Sequence, residues 1–351
     1  MEYIDSHDDS FASPGTRPAS TGISQILLCL DRSELSESIL SYAVMLTRAV
    51  AGSLTLMHVV ESSYDSNSNS HDALMWELKR REVRQYMKQV QERISRLDVI
   101  VNIQIAEGKA AEQILGFMRN NPVSYVILAS HGIYGRAEWS LSSTAAKVIG
   151  RAHSSFIIVP TTPTHQHAEL QPCIQRILVP LDDSLTSQTS LPIAIRIARQ
   201  QNAELILLHA IEPASFNHFS GIPHADRKVV DTAASILASV AREYFDQIAK
   251  RLQNEGLNVS IVVRPSSNPI ELIAETIASM NIDFVAMSAH GSTGSVEYPL
   301  ARTSTHMAAH TPVPLLVEQD LTTEQISRAL KSRLDERAPL RCSRSTGDET
   351  N

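Results

Sequence analysis

The chain is written twice. Residues 24–61, SQILLCLDRSELSESILSYAVMLTRAVAGSLTLMHVVE, run parallel to residues 175–212, QRILVPLDDSLTSQTSLPIAIRIARQQNAELILLHAIE. Asp31 meets Asp182 and His58 meets His209, both at an offset of 151 residues. Further on, VSYVILASHGIYG parallels NIDFVAMSAHGSTG, and His131 meets His290 at an offset of 159. The added residues fall between His209 and His290, and a loop absorbs an insertion of that size at small entropic cost. A duplicated unit fixes the domain plan before any single residue is interpreted. It predicts a tail at 1–22, a first domain at 23–162, a linker at 163–173, a second domain at 174–319 and a tail at 320–351. The 351-residue length suits two domains, and 43% hydrophobic residues suffice for two ordinary cores.

Each copy alternates short apolar runs with helical periods. ILLCL is an unbroken apolar run, as a strand covered on both faces requires. From Ser36 to Val50, apolar residues at Ile39, Tyr42, Ala43 and Leu46 keep a helical period. LTLMHVV, VNIQIAEG, SYVILAS and SSFIIVP complete the strands of copy one. A long charged helix at 71–97 lies between the second and third, with Leu74, Leu78, Val83, Met87 and Val90 as its apolar stripe. Copy two repeats the order with AELILLHAI, a helix near 227–252, NVSIVVRP, IELIAETIAS, DFVAMSA and PLLVEQ. Strands alternating with helices predict an α/β fold, here two copies of a doubly wound parallel five-stranded sheet. In such sheets ligands bind beyond the carboxyl ends of the strands, beside the topological switch point. Asp31, Val59 and Ala129–Gly132 all fall at carboxyl ends.

Bulk properties exclude several classes. A net charge of −7, with no Lys/Arg block interleaved with aromatics, argues against a nucleic-acid partner. No apolar run approaches 18 residues, so no membrane span is expected. The first twenty residues lack the apolar core of a signal peptide. Cys29, Cys173 and Cys342 show no metal spacing and suit free thiols in a reducing cytoplasm, where the protein is expected to reside. Cys29, inside ILLCL, reads as a small buried hydrophobe.

LASHGIYGRAEWSLSSTAAKVI, residues 128–149, carries the chemical question. A strand that ends in a turn of small residues and enters a helix leaves backbone N–H groups pointing into the crevice. Those donors and the positive helix end attract an anion without a basic side chain. Ser130, Gly132, Ser142 and Ser143 fit such a cradle, and Ser142 and Ser143 equally suit a helix N-cap. Asp31 can accept from a ribose hydroxyl or an adenine amino group, or can cap the helix that follows it. His58 and His209, within apolar strands, read as satisfied core histidines. His131 and His290 have no acidic or cysteine partner at metal or triad spacing, so no metal is expected. Neither GxxxxGK[ST] nor GxGxxG occurs.

ILVPLDDS, LLHAIE, the SHG and AHG turns and AAHTPVPLLV together make both halves resemble the universal stress protein family, over 24–161 and 175–319. That resemblance implies an adenine nucleotide α-hydrolase-like fold with strand order 3-2-1-4-5, associating through strand five. In the family's nucleotide-binding branch, G-x-x-G, nine residues and G-(S/T) hold the phosphates of ATP, while the strand-one Asp and the residue after the strand-two His hold adenosine. Carried across, the cradle is Ala129-Ser130-His131-Gly132, nine residues, then Ser142-Ser143, with Asp31 and Val59 on the adenosine side. Ala129 and Ser142 replace two glycines, and Cys29 stands where the family often has proline. Copy two keeps Pro180, Asp182 and Ala210, but its loop closes on Ala301-Arg302 and has lost both glycine and hydroxyl.

The expectation is a stress-linked regulatory protein that binds ATP or another adenine nucleotide in domain 1, with domain 2 degenerate. The alternative is a scaffold that uses the same fold without nucleotide. Slow ATP hydrolysis, through Asp31, His131 or Glu138, ranks last because no spacing among them enforces a catalytic geometry. Fusion of two copies predicts an intramolecular pair about a pseudo-twofold axis, with FIIV beside PLLV, and leaves a further homodimer open.

Overall fold

The computed structural model describes residues 23–33, 37–61, 70–130, 141–151, 153–160, 170, 172–211, 227–292, 298–322 and 324–325. In the first half these form β1 (Gln25–Cys29), α1 (Leu40–Ala49), β2 (Ser53–Val60), α2 (Ser70–Ser95), β3 (Ile100–Glu107), α3 (Ala110–Asn120), β4 (Val123–Ala129), α4 (Ser143–Ile149) and β5 (Ser155–Val159). The second half gives β6 (Arg176–Leu181), a 3-10 turn (Ser187–Ser190), α5 (Leu191–Gln201), β7 (Glu204–Ile211), α6 (Arg227–Asn254), β8 (Val259–Pro265), α7 (Pro269–Ser279), β9 (Phe284–Ser288), α8 (Arg302–His310) and β10 (Leu315–Glu318). The helix after β1 begins at Leu40, later than its apolar period suggested. In copy two the matching stretch is a 3-10 turn whose serine hydroxyls, Ser187 and Ser190, bond back to main-chain carbonyls. Such local bonds compete with regular helix.

Among the described residues the ten strands make one sheet, in the order β3-β2-β1-β4-β5-β10-β9-β6-β7-β8. Each half follows 3-2-1-4-5 and is parallel throughout. The halves meet where β5 and β10 run antiparallel, Ile157 opposite Leu316, flanked by Ile158–Leu315 and Phe156–Val317. Ile157 and Leu316 are themselves 159 residues apart, the offset of the downstream repeat. The pseudo-twofold axis therefore passes between these two residues. Tyr125 donates from its hydroxyl to the Glu318 carboxylate across this junction, at 3.1 Å, and Gln319 N donates to Ser155 Oγ at 3.0 Å. On one face α1 packs against α5, and the Tyr42 ring lies 6.5 Å from that of Phe284, at 21°.

Strand alternation splits the core in two. Ile26 and Leu28 of β1 face the layer built by α1, α2, α5 and α6. Leu27 faces the layer of α3, α4, α7 and α8. Each layer runs unbroken across both copies, so the pair shares its cores as well as its sheet.

The apolar stripe of α2 divides. Val83, Met87, Val90 and Ile94 are buried, whereas Leu74 and Leu78 stand in solvent. A 26-residue helix is about 39 Å long, while an eight-residue strand spans about 26 Å, so the first turns of α2 overhang the sheet.

Candidate functional site

The carboxyl ends of β2, β1 and β4 are neighbours in the sheet, and the chain reverses its direction of winding between β1 and β4. Open α/β sheets bind ligands at such a switch point. Asp31 sits just past the tip of β1, Val59 is the penultimate residue of β2, Ala129 ends β4 and Ser130 follows it. His131 and Gly132, with Glu138, lie outside the described residues.

Main-chain bonds shape this edge. Leu30 N donates to Met57 O at 2.9 Å, extending β1 by a residue and presenting Asp31 at its tip. His58, buried in β2, bonds through Nδ1 to Leu30 O at 2.8 Å. Burial is the main cause that holds this imidazole below its ordinary value, so it stays neutral and donates from Nδ1. His209 makes the same bond to Leu181 O at 3.0 Å, and its ring lies 4.8 Å from that of Phe245, tilted by 35°. Both histidines are satisfied core groups that pin the strand carrying the tip aspartate.

Asp31 Oδ1 accepts from Ser33 N at 3.0 Å and Ser33 Oγ at 2.5 Å, an Asx turn across Arg32. Arg32 takes φ 68°, and its guanidinium faces Glu82 of α2 at 3.6 Å. Lys79 of α2 donates to Glu61 O at 3.2 Å and, with Arg32, projects positive charge onto His58. Cys29, Val59 and Ala106 are half-buried apolar residues on this edge, Val59 and Ala106 being registered neighbours. Burial pushes the Cys29 thiol up to about 12, so at neutral pH it is a protonated packing group and not a nucleophile.

On the β4 side, Ser130 N donates to Val159 O at 2.9 Å, and Ser142 N donates to Ser130 O at 2.7 Å. The second bond brings the two ends of the intervening loop together. Ser142 is the N-cap of α4, its hydroxyl accepting from Ala145 N at 3.2 Å, and Ser143 is exposed as the first helical residue. The structure thus gives Ser142 the capping role while leaving Ser143 facing solvent.

Copy two closes the matching edge with its own groups. Asp182 accepts from Ser184 N at 2.8 Å and Ser184 Oγ at 2.5 Å through Oδ1, and from Ser292 N at 2.7 Å through Oδ2. Burial would raise this carboxyl, but the bonds from Ser184, Ser292 and Ser187 outweigh it and hold it below the usual range. A Cβ on Gly291 would meet Asp182 Oδ2, so the carboxylate would have to turn away from the Ser292 N–H it accepts.

His290, five per cent exposed, bonds through Nδ1 to Asp320 Oδ1 at 2.7 Å and through Nε2 to Tyr298 O at 2.7 Å. Two acceptors require two N–H donors, so this ring is an imidazolium. Burial alone would push its pKa down, yet the Asp320 carboxylate and the Tyr298 carbonyl hold it above the ordinary value. Sequence spacing gave no sign of the Asp320 partner, thirty residues away. A second feature was readable from the repeat. The residue after the tip aspartate is Arg32 in copy one and Asp183 in copy two, a charge reversal at matched positions. Among the described residues no cluster of three or more His, Cys, Asp or Glu could hold a metal, and no helix is long and apolar enough to cross a membrane.

The model of the universal stress protein family matches residues 22–160 and again 174–318. No curated protein matches the chain. Among solved structures, a universal stress protein from Archaeoglobus fulgidus DSM 4304 aligns with a TM-score of 0.59 at 17% identity, over 85% of this chain and 98% of its own. A functionally unknown protein from Pseudomonas aeruginosa PAO1 aligns with a TM-score of 0.56 at 14% identity, over 88% and 98%. At such identities the likeness is one of fold, and both relatives are covered almost whole. With the family pattern found in each half, the chain belongs to the universal stress protein family, as two of its domains in tandem.

Proposed function

We propose that domain 1 binds an adenine nucleotide, ATP in the first instance, in a regulatory role in the cytoplasm, and that domain 2 serves as its packing partner. The observation that carries this reading is the gathering of Asp31, Val59, Ala129 and Ser130 on adjacent carboxyl ends, with Ser142 tied back to Ser130. Asp31 and Val59 take the adenosine side. The main-chain N–H groups of His131, Gly132 and Ser143 and the hydroxyls of Ser130 and Ser143 take the phosphates, with Ser142, tied back to Ser130, closing the cradle. Charge favours the first domain over the second: Arg32 and Lys79 make its edge suit a polyanion, whereas Asp183 opposes one at the matched position.

Equilibrium dialysis of the full chain against ATP tests the reading. Wild type is expected to bind at millimolar concentration or tighter, and Gly132→Val, which puts a branched side chain in the cradle, is expected to lose binding. Absence of binding by wild type would refute it. The commitment of the Ser142 hydroxyl to Ala145 N favours a second reading, a scaffold that works through protein partners. Purified protein carrying stoichiometric nucleotide would rule that out.

A further inference from the structure

Helix α8 sets two histidines on one exposed face. His306 and His310 are one helical turn apart, both reach solvent, and their ring centroids stand 4.6 Å apart with planes inclined at 46°. Side chains at i and i+4 lie one above the other on a helix. Two imidazoles so spaced form the helical pair that ligates zinc in the H-E-x-x-H arrangement. Metal–nitrogen bonds of about 2.0–2.1 Å can bridge rings at this separation after a small side-chain rotation, which exposed rings permit.

The duplication supplies an internal comparison. At the downstream offset, His306 and His310 correspond to Lys147 and Arg151 of α4, neither of which offers an imidazole. At the matched positions the pair belongs to the second domain alone.

We propose that His306 and His310 form a bidentate surface site for a transition-metal dication of the copper, nickel and zinc group, with water completing the coordination. Imidazole ligands suit these metals and leave magnesium and calcium unbound. Arg302, one turn before His306, opposes the bound charge and keeps the affinity below that of a closed four-ligand site. The site is independent of nucleotide binding in domain 1.

The test is titration of the full chain with copper(II) chloride, followed by backbone amide NMR, which separates α8 from other copper-binding groups of the chain. Substoichiometric copper is expected to broaden the amide signals of Arg302–His310 and not those of Lys147–Arg151, and excess zinc to reverse the effect. His306→Ala and His310→Ala should each weaken copper at α8 by at least the about 10–100-fold seen on losing an outer-shell partner. The double variant should abolish the broadening with the far-UV spectrum unchanged, and Arg302→Ala should strengthen it. Absence of α8 broadening in wild type, or equal broadening in the double variant, would overturn the proposal.

Discussion

Asp31 and Asp182 occupy the same strand tip and make the same Asx turn to the serine two residues on. Asp182 also takes Ser292 N on its second oxygen, and the nearby imidazolium of His290 ties the same loop to Asp320. The His290–Asp320 pair gives a pH dependence with a definite sign. A histidine whose folded pKa is raised stabilises the fold fully below its unfolded value of about 6.5 and loses that contribution as pH rises through the folded pKa. His58 has the opposite sign: its lowered folded pKa costs stability as pH falls below the unfolded value. A comparison of wild type with His290→Gln isolates the first effect. Urea unfolding near pH 6 should show the variant destabilised by about 3–5 kcal/mol, because the buried Asp320 carboxylate loses its partner. The gap should narrow at alkaline pH, and a gap independent of pH would mean that His290 is not charged.

Helix α4 is where capping and ligand binding compete for the same residue. Ser142 spends its hydroxyl on Ala145 N, and its Cβ occupies a glycine position of the family's phosphate loop. Ser142→Gly should therefore cost only a few tenths of a kcal/mol, since glycine is itself a tolerable N-cap. The same variant should tighten ATP binding in equilibrium dialysis; weaker binding would show that the Ser142 hydroxyl is itself a phosphate ligand. Elements proved legible in the sequence where their period was tied to burial. The α3 segment AAEQILGFMRN and strands such as AELILLHAI were placed to within a residue or so. The stripe of α2 misled at Leu74 and Leu78 because period reports that a face is apolar, not how far the sheet beneath it extends. His290 and Asp320 could not be paired from spacing either. The crossover from β9 through α8 to the adjacent β10 brings them together, and only the tertiary fold encodes that.

The duplication fixes the whole molecule. Fusion of two copies implied a twofold relation, and the sheet places that axis between Ile157 and Leu316, with both cores continuous across it. Tyr42, buried in α1, meets Phe284 of the other copy and so couples the halves. Tyr42→Ala should cost about 3–5 kcal/mol, as for other large aromatic truncations. It should also separate one cooperative urea transition into two; a single transition merely shifted to lower urea would argue that the coupling lies elsewhere. What the duplication does not preserve is the residue after the tip aspartate, Arg32 in one half and Asp183 in the other. Native mass spectrometry of the full chain with ATP tests that asymmetry most directly. One nucleotide per chain is predicted, lost in Asp31→Ala and retained in Asp182→Ala. Two nucleotides per chain, none, or binding that survives Asp31→Ala would contradict it.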